Sequence, residues 1–474
     1  VHRYELISCH DCGTLHRKRA LRVRERARCT RCEAILYRGT SNDGHGRVNR
    51  MIAITLGALL TYFIAQFFPI VELEINGLTS SATMAGAIRV LWAEHMEAVA
   101  CMVFLFTILF PLVEIGSLLY VTFGLSAGRQ VPGFHRLLRA VQASRKWGMI
   151  EVLMIGILIT LFKMTSLARV VPQPGVFAFG ALTVLLAIVV CIEPRALWQL
   201  GDQLAPGTPP AVPVPVMHYR RHVPRPLPGT HPLAQQYVAV HARDGGHLLT
   251  CDACGLVNTA AASGGKRPKR QQCSRCGSTL HARHPNSIKL TWALLIAALI
   301  LYIPANMLPV MYTRTLFGTE DDTILSGVAL FWNSGSKFLA VIIFIASIAV
   351  PVLKLASLAL LTATAQSASR WRPRQRTSLY RLVEFVGRWS MLDIFVVTLT
   401  VALVRFQTVA VITAGPGALA FGAVVVLTML ASMRFDPRLI WDPVVHELTT
   451  RGTEQSKPSA SKPSSSVSSG EKYV

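Results

Sequence analysis

The chain of 474 residues is 51% hydrophobic and 15% charged, with a mean hydropathy of +0.42. Soluble domains are about a quarter charged, so the composition argues against an ordinary soluble enzyme. Lys and Arg number 48 against 25 Asp and Glu, a formal charge of +23. Such a balance suits either nucleic acid or the loops of a membrane protein, and the placement of the charges decides between them.

The start lacks the basic-then-apolar pattern of a signal peptide. Residues 1–50 hold two CxxC pairs, Cys9/Cys12 and Cys29/Cys32, sixteen residues apart. Residues 51–198 contain apolar segments at 51–70, 98–123, 149–168 and 176–194, each close to the 20 or so residues that span a bilayer as a helix. Residues 199–245 carry nine prolines between Pro206 and Pro232, as in an extended linker. Residues 246–290 hold Cys251/Cys254 and Cys273/Cys276, eighteen residues apart. Residues 291–441 again contain four segments, at 291–311, 338–363, 391–411 and 418–434, and the polar tail 442–474 is expected to be disordered.

The loops predict the orientation. Segment 124–148 carries Arg129, Arg136, Arg139, Arg145 and Lys146 with no acid, and 366–388 carries six arginines against Glu384 alone. The alternate loops hold Glu72, Glu74, Glu94 and Glu97, and Glu320, Asp321 and Asp322. By the positive-inside rule both termini and the middle segment are cytoplasmic. The charge is thus a topology signal, and nucleic acid is disfavoured as a partner.

The halves repeat. Tyr62, Ala65, Gln66 and Pro69 match Tyr302, Ala305, Asn306 and Pro309, and Pro111, Glu114 and Ser117 match Pro351, Lys354 and Ser357, all at an offset of 240. Trp147, Met149 and Glu151 match Trp389, Met391 and Asp393, as Lys163 matches Arg405, at an offset of 242. Four spans per copy give both copies one orientation. The predicted fold is an all-α polytopic membrane protein of two parallel four-helix modules, eight spans in all. A small cytoplasmic four-cysteine zinc ribbon precedes each module.

The two CxxC pairs of each ribbon suit one tetrahedral Zn, so two Zn ions are expected: one on Cys9, Cys12, Cys29 and Cys32, the other on Cys251, Cys254, Cys273 and Cys276. Gly13, Gly255 and Gly277 follow the second Cys of their pairs, where the knuckle needs positive φ; Glu33 departs from that pattern. A redox relay or a DNA contact through the ribbons is the competing reading.

Ionisable groups inside spans are functional candidates by default. The second module offers Lys354, Ser357, Ser390, Asp393 and Thr398, with Lys354 and Asp393 within reach as a pair that either binds or only locks two helices. In the first module the equivalents are two acids, Glu114 and Glu151, one of which must take a proton or pair elsewhere. Lys163 and Arg405 are expected to snorkel to the outer interface. Pro304, Asn306 and Pro309 interrupt the fifth span as a gate or a kink. No nucleotide-binding or hydrolytic motif occurs, and no enzymatic activity is expected.

The strings Cys251-Asp252-Ala253-Cys254-Gly255 and Cys273-Ser274-Arg275-Cys276-Gly277 resemble those of the paraquat-inducible protein A family. So do Pro285-Asn286-Ser287, Thr291-Trp292-Ala293 and Tyr302 through Pro304, Asn306 and Pro309 to Met311. The resemblance covers nearly the whole chain. It implies a bacterial inner-membrane protein working beside an MCE-domain (mammalian cell entry) protein that spans the periplasm, moving phospholipids between membranes and maintaining the envelope. Lys354 and Asp393 are the positions that fit the family's functional polar residues, and Glu114 stands where a Lys is expected. The alternative is a non-transporting, zinc-dependent scaffold for the MCE partner.

Overall fold

The computed structural model describes residues 6–18, 21–22, 25–39, 44–75, 78–164, 169–190, 194–204, 247–260, 271–315, 318–333, 335, 337–387, 389–403, 405–406 and 410–443. Two hairpins come first: β1 (Leu6–Ser8) pairs with β2 (Leu15–Arg17), and β3 (Arg26–Arg28) with β4 (Ile35–Arg38). The first module is α1 (Gly44–Phe67), β5 (Val71–Ile75), β6 (Leu78–Ala82), α2 (Met84–Ala93), α3 (Glu97–Phe104), a π turn Leu105–Leu109, α4 (Phe110–Ser126), α5 (Phe134–Trp147), α6 (Ile150–Met164), β7 (Arg169–Pro172), α7 (Pro174–Val190) and α8 (Pro194–Leu204).

After the hairpin of β8 (His247–Thr250) and β9 (Val257–Ala260) the same order recurs. It runs α9 (Ser287–Met307), β10 (Met311–Thr315), β11 (Gly318–Asp322), α10 (Ile324–Asn333), α11 (Lys337–Phe344), a π turn Ile345–Ala349 and α12 (Val350–Gln366). It continues with α13 (Pro373–Gly387), a 3-10 turn Trp389–Met391, α14 (Leu392–Leu403), β12 (Arg405–Phe406), β13 (Ala410–Ala414), α15 (Pro416–Arg434) and a 3-10 turn Pro437–Ile440.

Five helical segments among the described residues are long and apolar enough to cross a membrane: Val48–Phe67, Glu97–Ser126, Ser287–Met307, Ala340–Gln366 and Pro416–Arg434. The other three expected spans fall on α6, α7 and α14, which have 15, 17 and 12 residues. Strands follow α6 and α14 closely, so Arg405 sits in β12 and not in a helix. The Lys163 and Arg405 side chains lie outside the described residues.

The expectation of an all-α chain needs correction at one end of the molecule. Residues read as plain loops, together with the last residues of the expected span 391–411, form two antiparallel sheets, of order β6-β5-β7 and β11-β10-β13-β12. Val71-Glu72-Leu73-Glu74-Ile75 has the period-2 pattern of a half-buried strand, and Leu73 faces Val170 across the ladder. The first residues of the proposed linker are also helical, since α8 extends to Leu204; residues 205–246 and the tail from 444 lie outside the described residues.

The helices accommodate their polar groups locally. Thr55, Thr107, Thr122, Thr160, Thr362 and Thr398 each donate a hydroxyl to the carbonyl four residues back, which satisfies the hydroxyl where no water is at hand. Both π turns have one cause. Pro111 and Pro351 lack an N–H and crowd the carbonyl four residues earlier. The ladder therefore slips by one residue, and the Phe110 and Val350 N–H groups reach Leu105 and Ile345. In the first module α1 covers the loosened carbonyls: Tyr62 donates to Ile108 at 3.0 Å and Gln66 to Thr107 at 3.5 Å. In the second, Asn306 instead donates to Tyr302 of its own helix at 2.8 Å.

In each module the first long helix packs on the last and on the kinked one: α1 on α7 and α4, and α9 on α15 and α12. The halves join through α14, which lies against α6 and α2 of the first module. The arrangement is lopsided. Met84, Ala87 and Leu91 of α2 are buried, whereas Leu325, Leu330 and Trp332 of the corresponding α10 are more than half exposed.

Candidate functional sites: two four-thiol centres and a buried lysine

Both ribbons bring four thiols to a point. Within each set the Sγ atoms all lie within 4.8 Å of one another and the cysteines are buried. Cys9–Cys32 and Cys12–Cys29 are 3.4 and 3.5 Å apart, and Cys251–Cys276 and Cys254–Cys273 are both at 3.5 Å. A tetrahedral ion with ligands about 2.3 Å away holds its sulfurs roughly 3.8 Å apart, so a small dication fits with minor adjustment.

The backbone builds the knuckles alike. Gly13, Glu33, Gly255 and Gly277 each donate an N–H to the first Cys of the pair. All four have positive φ, 72°, 61°, 74° and 68°. Glu33 therefore departs from the glycine pattern in identity and not in conformation. Further donors face the sulfurs: Thr14 lies 3.1 Å from Cys12, His16 3.3 Å from Cys29 and Ser278 2.7 Å from Cys276. Such contacts orient ligands and tune the metal.

Each ribbon docks on the half it does not precede in sequence. The first ribbon's cysteines share an apolar cluster with Leu361, Tyr380, Phe435, Ile440 and Trp441 of the second module. Arg381 of α13 pairs with Asp11 at 2.6 Å and also donates to the Cys32 carbonyl at 3.0 Å. Arg31 stacks over Trp441. The second ribbon's cysteines cluster with Val48, Met51, Leu118, Phe134 and Trp198 of the first module, and Arg275 pairs with Asp202 of α8 at 2.6 Å. Arg438 adds a clasp, bonding Asp252 at 2.8 Å and Asp436 at 3.0 Å. The bidentate contact with Asp442 raises the Arg283 guanidinium above its ordinary pKa.

Within the bundle the repeat-related charges have separate environments. Glu114 pairs with Arg145 of α5 at 2.9 Å, and Arg145 also donates to the Val189 carbonyl at 3.1 Å. Of the two first-module acids, Glu114 thus finds a cation, while Glu151 is exposed on the first turn of α6. At the offset of 242 that relates Trp147 to Trp389, Arg145 corresponds to Gly387. Lys354 fills the room this glycine leaves: a Cβ on Gly387 would stand 3.1 Å from both Cε and Nζ of Lys354. Lys354 is 3% exposed and its ammonium has no hydrogen-bond partner among the described residues. A neutral Glu–Arg pair in one module is thus exchanged for a Lys beside Gly in the other, with no partner for the Lys among the described residues.

The remaining expected site residues are less closely gathered. Ser390 is buried and donates to the Gly387 carbonyl at 3.0 Å, which brings it to the same turn as Lys354. Thr398 is buried farther along α14 with its hydroxyl on Ile394 at 2.7 Å. Ser357 is half-buried one turn from Lys354, and the Asp393 side chain lies outside the described residues, so the expected pairing of Lys354 with Asp393 lies outside them too. The fifth span is not broken at Pro304, for α9 runs through it to Met307. The Pro309 carbonyl accepts from Gly417 at 2.9 Å, and a Cβ on Gly415 or Gly417 would strike that backbone. Arg145 and Gly387 are the residues that sequence reading missed as a site pair; their shared offset carried the signal.

The family model for paraquat-inducible protein A matches residues 48–201 and 288–444, once on each module and beyond each set of cysteines. The chain belongs to the paraquat-inducible protein A family. It is 31% identical to the intermembrane transport protein PqiA of Escherichia coli K12, over 93% of this chain and 96% of that protein. It is 28% identical to the lipophilic envelope-spanning tunnel protein A of the same strain, over 92% and 90%. A probable intermembrane transport protein of Haemophilus influenzae is 29% identical, over 92% and 96%. No solved structure matches. The chain is thus mostly helical, with five segments among the described residues long and apolar enough to cross a membrane and two four-cysteine clusters able to hold metal ions.

Proposed function

We propose that this protein is the inner-membrane component of an MCE-type intermembrane lipid transport system, with the second module as its lipid-handling half. The observation that carries the reading is the buried Lys354 ammonium, held against Gly387 with no partner among the described residues. A lone buried cation costs several kcal/mol unless an anion arrives to meet it, and a phospholipid phosphate is such an anion. The flanking packing is consistent with entry from the side. Only 22% of the Ala340–Gln366 window is buried, against 50% of the matching Glu97–Ser126 window. Relatives named as intermembrane transport proteins support the transport class.

In this mechanism the headgroup comes to rest at Lys354, and Ser357, Ser390, Asp393 and Thr398 are assigned as the further polar residues of the lipid path. The lipid then passes to a periplasmic MCE protein docked on the sheet end. Eight spans, cytoplasmic termini and ribbons, and Zn as the metal of both four-thiol centres complete the reading. The ribbons clamp the two halves together and do not handle lipid. Lys354→Met and Asp393→Asn should abolish envelope protection with protein levels unchanged. Undiminished protection would refute the lipid role of the site.

Reciprocal docking of the ribbons favours a second reading, a zinc-dependent scaffold that seats the MCE partner without touching lipid. Under that reading Lys354→Met is silent, and Cys251→Ser or Cys276→Ser alone destroys assembly.

A further inference from the structure

The two ribbon-to-module interfaces carry the same kind of charge but close differently. Where the first ribbon meets α13, Arg381 is neutralised by Asp11 at 2.6 Å and Arg374 faces Glu33 at 3.8 Å. Where the second ribbon meets α5, the positions of Asp11 and Glu33 are taken by Ala253 and Gly277. The arginines remain. Arg139, which corresponds to Arg381 at the offset of 242, lines a cleft of about 560 Å³ with Arg136, Arg275, His135, Cys276 and Gly277.

Among the described residues Arg136 and Arg139 have no carboxylate partner; Arg139 donates only to the His135 carbonyl of its own helix, at 3.3 Å. His135 stacks flat on Trp198, and its Nδ1 is buried without a partner among the described residues. Arg275 is matched by Asp202. A four-thiol centre stands beside each interface, so its charge cancels in the comparison. Three arginines at the first interface, Arg31, Arg374 and Arg381, meet two carboxylates. Three at the second meet one. Among the described residues the second interface is one negative charge short, and the shortfall coincides with an open cleft.

We infer that the cleft between α5 and the second ribbon binds a phosphate-bearing anion through Arg136 and Arg139. Guanidinium groups recognise phosphate by planar, paired hydrogen bonds. Gln130 and Val131 of the lining lie only a few residues beyond Ser126, where a candidate span ends. That is the depth of lipid headgroups, and anionic headgroups are drawn to such basic juxtamembrane sites. The site is distinct from Lys354 and stands whether or not Lys354 handles lipid.

The test uses the full-length Lys354→Met protein in neutral detergent, so that the bundle site is disabled, with calorimetry as the readout. Dihexanoyl phosphatidylglycerol and glycerol phosphate are the two probes. Arg136→Gln/Arg139→Gln should weaken binding at least tenfold. Gly277→Glu should do the same by restoring the acid of the other interface. Glu33 already adopts the needed backbone in the first ribbon, and a Cβ at Gly277 meets nothing within 4 Å. Tighter binding of the short-chain lipid identifies a headgroup site, and equal binding of both probes identifies a site for soluble phosphate esters. Either outcome supports an anion site. No binding of either probe, or equal affinity in the arginine and Gly277 variants, would overturn it.

Discussion

At the scale of single residues, duplication has produced two solutions to one steric problem. The position that holds Glu114 with Arg145 in one module holds Lys354 with Gly387 in the other. A half-deleted buried pair is worse than none, because the survivor stays charged and unpaired. Arg145→Ala should therefore destabilise the protein by about 3–5 kcal/mol, read as a lower melting temperature in detergent. The double variant Glu114→Gln/Arg145→Gln should recover most of that loss. Equal losses in single and double variants would show that the pair is not coupled. The knuckle at Glu33 offers a second check. A non-glycine residue at φ 61° is strained, and Glu33→Gly should gain about 1 kcal/mol, measured as slower loss of metal from the first ribbon to a chelator.

At the scale of elements, much of the architecture could be read directly, and the exceptions have physical reasons. The four-cysteine sets were legible because the CxxC spacing is local and the knuckle glycines mark the turn. The five long spans were legible because an apolar run of that length has few other uses. The sheets were not, since their strands are at most five residues each and the ladders that join the hairpins, β5 with β7 and β10 with β13, pair across more than 90 positions of sequence. Short strands of that kind declare themselves only when their partners are known. The ends of α6 and α14 were set too far along for the same reason, as strands claim the residues beyond them. Of the candidate site, Lys354 was legible as a charge inside a span. Its room was not, because the glycine that makes it lies 33 positions away at the end of α13. Each four-thiol centre should act independently as a metal site: Cys254→Ser should reduce the bound metal from two equivalents per chain to one, counted by elemental analysis.

At the scale of the whole molecule, the halves are interleaved and not merely adjacent. α14 packs on α6 and α2, while each ribbon sits on the opposite module. If a protease site is inserted between residues 205 and 246 and cleaved, the two fragments should still co-purify in detergent; their separation would contradict the interleaved packing. The second module's α10 and the outer face of its kinked helix are more open than their counterparts in the first module, and on that ground the proposed function gives the lipid-handling role to Lys354. The most direct test of that role is a photoreactive residue at position 357, one turn from Lys354, in cells grown with labelled phosphate. The proposed function predicts a labelled phospholipid adduct at 357, several-fold weaker in the Lys354→Met background and weak at the matching position 117. Equal labelling at 357 with and without Lys354, or stronger labelling at 117, would contradict it.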